Sequence, residues 1–494
     1  MLTENEILQF IQEDKISLKK RNASVGQKYY EAEHDILQYR MFYFNADGKL
    51  VEDENRSNIK ISHPFFTELV DQEVQYMLSG KDGFVFTDIP ELQDRLDEYF
   101  DDDFTSELNE ILTDAISKGF GYMYAYTNAS GRFAFQCADA MGVVEVRAKD
   151  TEDHCDYVIY WYVDRMTKQN TPIRKIQVWD KDNVTYYVQK EEGKLEPDKC
   201  FEPYQGHATN VRPHVVYSKD DGVYFENFGF IPFFRLDNNK KQQSGLKPIK
   251  SIIDDYDIMS CGLSNNLIDF DHPLHVVKGF NGDNLDELAQ NLKTKKMIGV
   301  DADGGVEVHT VQIPYDARKT KMQEDEKNIY RFGMGFNSAQ LGDGNITNIV
   351  IKSRYALLDL KCNKLEIKLK QFLKKILKVV INEINKTDGT DYQMSDVWFE
   401  FEREVMTNAS DNATIEKTDA ETQQIKLNTI LNVASALDDE TILKAICDIL
   451  ELDYEEVKDR VDSMDELDMV ETALDKIVPD DSDNPDDPDS GGDE

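Results

Sequence analysis

From about Thr347 to Asn385 the chain reads as one uninterrupted helix, and that stretch limits the fold more than any other. Leu358, Cys362, Leu365, Leu369, Phe372, Ile376 and Val379 recur in alternating steps of four and three, which keeps a single apolar seam on one face. At 1.5 Å per residue such a helix is roughly 55 Å long. A small domain has no use for it; a large wall or a subunit of a ring does. A polar, charged helix pattern, Tyr315 to Phe332, precedes it. Between the two lies a loop punctuated by Gly333, Gly335, Gly342 and Gly344.

The long helix is also electrostatically unusual. Lys352, Arg354, Lys361, Lys364, Lys368, Lys370, Lys374, Lys375 and Lys378 face only Asp359 and Glu366, in a chain of net charge −40. Two readings are open: a basic face that pairs with acids elsewhere in the chain or in a neighbour, or a nucleic-acid contact.

At 494 residues the chain is expected to form two to four domains. Its 40% hydrophobic content is enough for globular packing. No run of eighteen apolar residues suggests a transmembrane helix, and Met1-Leu-Thr-Glu-Asn-Glu6 does not start a secretory signal. Six scattered cysteines (137, 155, 200, 261, 362 and 447) read as reduced, buried thiols in a cytoplasmic protein. The large negative charge argues against general DNA binding, because the duplex is itself anionic. It is compatible with a wall that surrounds DNA without gripping it.

Taken in order, residues 1–23 read as a short polar helix with an exposed lead-in. Tyr29, Ile36, Leu37 and Arg40 fit a further helix with one buried face. His34 and Asp35 are adjacent, so on a helix they diverge by about 100° and read as capping or packing residues. A helix should begin at Ser62 or His63 with Pro64 in its first turn, bury Phe65, Phe66, Leu69, Val70, Val74, Tyr76 and Met77, and end at Gly80. Helices from Glu91 to Tyr99 and from Phe104 to Lys118 follow, with Asp101–Asp103 as helix-start acids rather than metal ligands. The period then changes to two. Strands are expected over 121–126, 132–136, 143–147, 157–163, 175–179 and 184–188, with a last one from Val223 to Leu236. A helix over about 247–270 carries Ile249, Ile252, Tyr256, Met259, Leu263, Leu267 and Phe270 as its apolar seam. Asp254, Asp255 and Asp257 fall on its polar side, as a solvated face. Residues 271–313 read as a small αβ insertion, with 305–311 in a hairpin with 296–301. After a strand over 398–402, residues 411–475 read as helical. The tail from Pro479 holds acids and prolines and no apolar residue, a disordered composition.

The motifs of common enzymes are missing. There is no Gly-x-x-x-x-Gly-Lys-Ser/Thr phosphate loop, no Gly-x-Gly-x-x-Gly after a strand, no Gly-x-Ser-x-Gly elbow and no His-Glu-x-x-His. Cys200, His207 and His214 are too widely spaced for a metal site. No catalytic residue, cofactor or metal is expected.

Several local patterns in a fixed order carry a resemblance. They are Tyr29-Tyr30 with His34-Asp35-Ile36-Leu37 and Arg40; Leu69-Val-Asp-Gln-Glu-Val-Gln-Tyr76-Met-Leu-Ser-Gly80; Gly119-x-Gly121-Tyr-x-Tyr124; Phe228-Gly-x-Ile-Pro232-Phe-Phe; Ile252 through Tyr256-Asp257, Ser260 and Asn266 to Phe270; and Gly344-Asn345-Ile-Thr before the long helix. In that order they resemble the portal proteins of tailed bacteriophages, of the gp6-like (SPP1-type) branch, over about residues 24–386. The resemblance implies an α+β, multidomain portal fold with long helices, a mixed or antiparallel wing sheet, an αβ clip insertion and a helical crown. The implied division is a wing region over 1–243, stem helices over 244–270 and 314–335, the clip over 271–313, and a tunnel loop over 336–348. A long wing helix and strand over 349–399, a crown over 400–475 and an acidic tail over 476–494 complete it.

The resemblance also implies roles. Twelve copies would close a ring in the virion, at one capsid vertex, after assembly in the host cytoplasm. Gln340, Gly342, Asp343, Gly344, Asn345, Thr347 and Asn348 would form the loop near passing double-stranded DNA. Thr347-Asn348 replace the Ser-Gly common there, and asparagine accepts left-handed backbone less readily than glycine. Asp254, Asp255, Arg318, Lys319 and Lys321 would belong to the stem, the basic residues either facing the tunnel or, the preferred reading, pairing with acids of a neighbouring subunit. Asp283, Asn284, Glu287, Asp301 and Asp303 would face the terminase large subunit and then the head–tail adaptor. Major capsid and scaffolding proteins would be further partners. A head–tail adaptor or scaffold, and a metal-dependent nuclease using Asp101–Asp103 or Asp254–Asp257, are the rival readings.

Overall fold

In a computed structural model the described residues are 2–53, 56–80, 83–128, 133–147, 155–202, 207–219, 222–270, 274–278, 303–309, 313–337, 348–403, 424–430 and 439–450, with a few isolated positions beyond 416. The chain divides into two compact units, Met1–Gly344 with Lys352–Val405, and Asn345–Ile351 with Met406–Glu494.

The first unit is a stack of layers. Helices α1 (Glu4–Ile16) and α2 (Leu18–Tyr30) come first. Thr3 caps α1 in a reciprocal pair with Glu6, satisfying two orphan backbone donors. A hairpin, β1 (Phe42–Phe44) and β2 (Leu50–Glu52), precedes α3 (Phe65–Met77), β3 (Val85–Thr87), α4 (Pro90–Asp97) and α5 (Asp102–Lys118). Asp101 caps α5 by accepting the Phe104 N–H at 2.9 Å, as its place before a helix suggested. The strands β4 (Phe120–Thr127), β5 (Phe133–Ala138), β6 (Val143–Arg147), β7 (Cys155–Met166), β8 (Pro172–Trp179) and β9 (Asn183–Glu191) fall where period two placed them. Short strands β10 (Lys194–Pro197) and β11 (Val211–Pro213) both pair with β9. The run from Val223 to Leu236 is not one strand. It splits into β13 (Gly222–Glu226), which pairs with β12 (Val215–Lys219), and β14 (Phe233–Asp237), which pairs with β4. Pro232 at the break has no N–H to offer a ladder.

Every described strand pair is antiparallel. The sheet β14-β4-β5 lays Met123, Ala125, Phe135, Phe234 and Leu236 on the helical core. Its other face turns Phe120 and Tyr122 toward Val143, Val158, Trp179 and Val184 of the six-stranded sheet. That sheet's far face, with Val144, Ile159, Ile176 and Val178, is covered by Ile7 and Ile11 of α1. Residues 1–23 are therefore two helices that close a sheet. Lys20, whose stem lies inside, donates its ammonium to Asp14 and to the carbonyls of Ala140 and Val143.

Helix α6 (Lys250–Asp269) leads to β15 (Leu274–Lys278) and β16 (Gly305–His309), which pair with each other. The expected partner of 305–309 in a hairpin, 296–301, lies outside the described residues. Then come α7 (Tyr315–Gly333) and α8 (Asn348–Asp388). At 41 residues α8 is about 60 Å long. Leu358, Cys362, Leu365, Leu369, Phe372 and Ile376 of its seam are buried, and Leu373, Leu377, Val380, Ile381 and Ile384 widen the stripe. Each such side chain removed from water is worth about 1.5–3 kcal/mol, so the seam anchors α8 in the core that it shares with Leu69, Val70 and Val74 of α3 and Leu108 and Ile111 of α5. Strand β17 (Val397–Phe399) returns to pair with β3. Among the described residues no helix is long and apolar enough to cross a membrane. In the second unit, α9 (Asp439–Leu450) buries Cys447 and carries Lys444, whose ammonium stands 4.9 Å from the Tyr454 ring centre.

Candidate functional site: the paired helices and the base of the glycine loop

Helices α6 and α7 pack side by side. The buried face of α6 differs from the sequence reading. Leu267 is 51% exposed, whereas Asp257, Cys261 and Asn265, taken with Ile253, are the residues removed from water. The reason is a backbone strap. The extended segment 57–63 runs along α6 and spends every second N–H on one side chain per helical turn. The Ser57 N–H donates to Asp269 (3.1 Å), Ile59 to Asn265 (2.7 Å), Ile61 to the Cys261 sulfur (3.2 Å) and His63 to Asp257 (3.1 Å). Two extended residues advance about 6.6 Å and a helical turn 5.4 Å, close enough for four consecutive matches. A polar seam is buried because strap amides satisfy it.

Asp257 is the centre of this arrangement and not part of a solvated face. It is fully buried. Besides the His63 N–H, one carboxylate oxygen accepts from His34 Nδ1 at 2.6 Å and the other from His63 Nδ1 at 2.7 Å. Burial opposes its ionisation, but the two histidine donors outweigh that and hold the carboxyl below its ordinary range. His34 is buried too and stacks on Tyr29, ring centres 4.4 Å apart, in keeping with a packing role. The helix expected through Ile36 and Arg40 is absent. Helix α2 stops at Tyr30 and a 3-10 turn covers Asp35–Gln38, leaving Leu37 and Arg40 exposed so that His34 can point inward.

One turn earlier, Asp254 takes the Tyr29 hydroxyl and the Lys250 ammonium, which also reaches Asp35 (2.7 Å) and the Tyr29 oxygen (2.9 Å). Burial and the neighbouring Asp254 push the Tyr29 hydroxyl pKa up. Burial works against the Lys250 charge, yet its three oxygen partners raise its pKa. Ser260 Oγ lies 3.4 Å from His63 Nε2, so Ser260, His63 and Asp257 follow the order of a nucleophilic triad. The setting does not suit that chemistry. Ser260 is inside α6, where backbone amides are taken by the helix ladder and cannot form an oxyanion hole beside it.

On α7, Lys321 pairs with Asp255 of the same chain and with Asp325. The hydrogen bonds to Asp255 and then Asp325 raise its pKa. Its observed partners are thus internal, where a neighbouring subunit's acids were expected. Arg318 lies flat on α6, donating to the Met259 carbonyl at 3.4 Å. A Cβ at residue 262 would stand 2.5 Å from its guanidinium, so glycine leaves room for Arg318 in this position. Lys319 sits 5.8 Å over the Tyr315 ring. Asp254, Asp255 and Asp257 each serve a different cation or donor and do not converge. Among the described residues no group of three or more His, Cys, Asp or Glu is arranged to hold a metal ion. Asp101 is committed to its cap, and the nuclease reading has no support here.

The base of the glycine loop is equally constructed. Helix α7 ends with Met334 in left-handed backbone (φ 56°). Gln72 of α3 then reads the chain from both sides, donating to the Phe336 carbonyl (2.7 Å) and accepting its N–H (3.0 Å). A Cβ on residue 335 would lie 2.0 Å from a Leu69 methyl. Tyr355 of α8 stacks on Phe336 at 5.0 Å and 20°. Gln340, Gly342, Asp343, Gly344, Asn345 and Thr347 lie outside the described residues. Asn348 is the first residue of α8, so it belongs to the helix and not to the loop. Asp283, Asn284, Glu287 and Asp301 are also outside the described residues, and Asp303 is exposed in a turn before β16. His63, Asn265 and Gln72 were not singled out from sequence as site residues, and Asp257 entered only through the rival nuclease reading. The four-residue spacing of Asp257, Cys261, Asn265 and Asp269 was the available signal for the four strap contacts.

Residues 10–460 match the family described as phage portal protein, SPP1 Gp6-like. The portal protein of Bacillus phage SPP1 is 28% identical over 350 residues, covering 71% of this chain and 67% of that one. The portal protein of Clostridium phage phiCD119 is 24% identical over 404 residues, covering 77% of this chain and 85% of the relative. With a match across nine-tenths of its length, carried through the strap, the paired helices and the loop base, this chain belongs to the SPP1 Gp6-like family of phage portal proteins.

Proposed function

We propose that twelve copies of this chain close a ring at one capsid vertex and form the channel through which double-stranded DNA enters and leaves. Helices α6 and α7 are the stem, residues 271–313 the clip facing the terminase large subunit and later the head–tail adaptor, 336–347 the tunnel loop, and 400–475 the crown. Major capsid and scaffolding proteins surround the ring, which assembles in the host cytoplasm. The work of packaging belongs to a separate ATPase.

The observation that carries this reading is the family match combined with the loop base. Phe336, just ahead of residues 338–347, is held by Gln72 and stacks on Tyr355 of α8, and Leu69 packs close on Gly335. A loop that leaves from so fixed a base can contact a passing duplex without loosening the helices behind it. Negative-stain imaging of the purified chain should show annular particles. Deleting Gln340–Asn345 should leave the annuli intact and impair DNA packaging or retention. Loss of the annuli on that deletion would refute the loop assignment, and a single compact species at every ionic strength would refute the ring.

A further inference from the structure

Helix α8 has a second stripe, opposite its buried seam. Leu360, Lys364, Ile367, Gln371, Lys374 and Lys378 recur in alternating steps of four and three, and all six are exposed. The stripe is about 27 Å long. Lys361 and Lys370 on the flanks are neutralised within the chain by Glu73 and Glu366. Lys364, Lys374 and Lys378, by contrast, have no carboxylate within 4 Å among the described residues, and neither does the adjacent Lys375. Between these lysines Ile367 is 61% exposed and Leu360 49%. A stripe that only grips phosphates gains nothing from two aliphatic side chains in its path. A protein surface that mixes acids with apolar groups matches both components.

The same unit carries such a surface. From Asp88 to Glu110 there are ten acids and a single base, Arg95, which is taken up by Glu98 and Asp388. Glu91, Asp94, Asp102 and Asp103 are exposed and have no basic partner among the described residues. Directly before this segment, Trp398 of β17 lies opposite Phe86 of β3 and is 42% exposed. Acids and an exposed aromatic therefore adjoin, as basic and aliphatic groups do on α8. The two surfaces are different patches of one chain, and a contact between unlike patches of identical chains is heterologous, the kind that closes rings.

We infer that the outer stripe of α8 docks on the acidic face around α4 and the start of α5 of a second copy of this chain. The inference rests on the ring reading and gives it an interface. Pairing of this kind removes part of the self-repulsion of a chain with net charge −40, and it makes assembly weaken as salt rises.

The test is sedimentation velocity of the full chain at about 0.15 M salt, where surface charges are screened beyond about 8 Å. The variants are the triple substitution Lys364→Glu, Lys374→Glu, Lys378→Glu, the triple Glu91→Lys, Asp94→Lys, Asp103→Lys, and the chain carrying all six. Each substituted side chain is exposed, and unchanged circular dichroism melting checks the fold. Each triple variant should weaken self-association at least tenfold, and the six-fold swap should restore it. Assembly of the triple variants at wild-type strength overturns the interface while leaving the ring standing. So does a loss that the swap fails to restore, since that is the result for some other contact. Intact assembly with reduced retention of duplex DNA makes the stripe a nucleic-acid face and overturns it as well. A wild-type chain that remains single at every salt concentration overturns the ring and this interface together.

Discussion

Asp257→Ala is the substitution that most directly probes how the paired helices are held. The carboxylate is fully buried and accepts three donors, His34 Nδ1, His63 Nδ1 and the His63 amide. Removing it leaves His34 enclosed with neither ring nitrogen paired, because its Nε2 has no hydrogen-bond partner to begin with. Stripping one partner from a buried charged cluster costs about 3–5 kcal/mol. Asp254→Ala is the control one turn away. Its side chain is 32% exposed and Lys250 keeps Asp35 and Tyr29, so the cost should be near 1 kcal/mol. Urea unfolding compares the two, and hydrogen exchange locates the loss. The amides of Ile59, Ile61 and His63 should exchange at least ~100-fold faster in Asp257→Ala, since each 1.4 kcal/mol is a factor of ten. The pH dependence has a defined sign. A carboxyl whose folded pKa is depressed stabilises above its unfolded value, and that stability is lost as pH falls through the folded value. Wild type should therefore lose strap protection on acidification below the ordinary carboxylate range, and Asp257→Ala should lack that acid-dependent component. Equal cost for Asp254→Ala and Asp257→Ala, or an unchanged His63 amide, would refute the reasoning.

Other expectations follow from single contacts. Gly335→Ala should lower thermal stability by about 1–3 kcal/mol through overpacking, and adding Leu69→Ala should relieve the clash part of that loss; equal melting of wild type and Gly335→Ala would remove the close approach from the account. Lys321→Met should cost under 1 kcal/mol, because the side chain is 44% exposed. Its raised pKa means that the stabilisation is complete below the ordinary lysine value and fades only as pH rises through the folded one, which urea midpoints at pH 8 and pH 11 would show. A fluorophosphonate probe should leave Ser260 unlabelled in the native protein, as judged by intact mass, because no oxyanion donors adjoin it. Phe372→Ala in the α8 seam should cost about 3–5 kcal/mol, read from the loss of cooperative melting at lower temperature.

What the sequence disclosed and what it hid divide along a physical line. Periodicity placed α8 to within a few residues, because a seam repeating for about six turns has no other explanation. It also placed β4 through β9, whose faces alternate between two cores. Periodicity failed at α6. There the hydrophobic pattern pointed to Leu267, while the buried residues are Asp257, Cys261 and Asn265. A polar seam is invisible to any argument that equates burial with apolarity, since what makes it buriable is a strap about 200 residues away in sequence. The same limit applies to Gln72, whose amide is matched to the backbone of Phe336 264 positions on. Local chemistry was legible wherever the partner is near, as with Asp101 and Phe104. The order of motifs led to the family although no single motif did, because a common fold preserves the sequence of elements more firmly than any one contact. The residues that join those elements are the ones a linear reading cannot pair. They are also where a substitution will distinguish a rigidly held helix pair from a merely helical one.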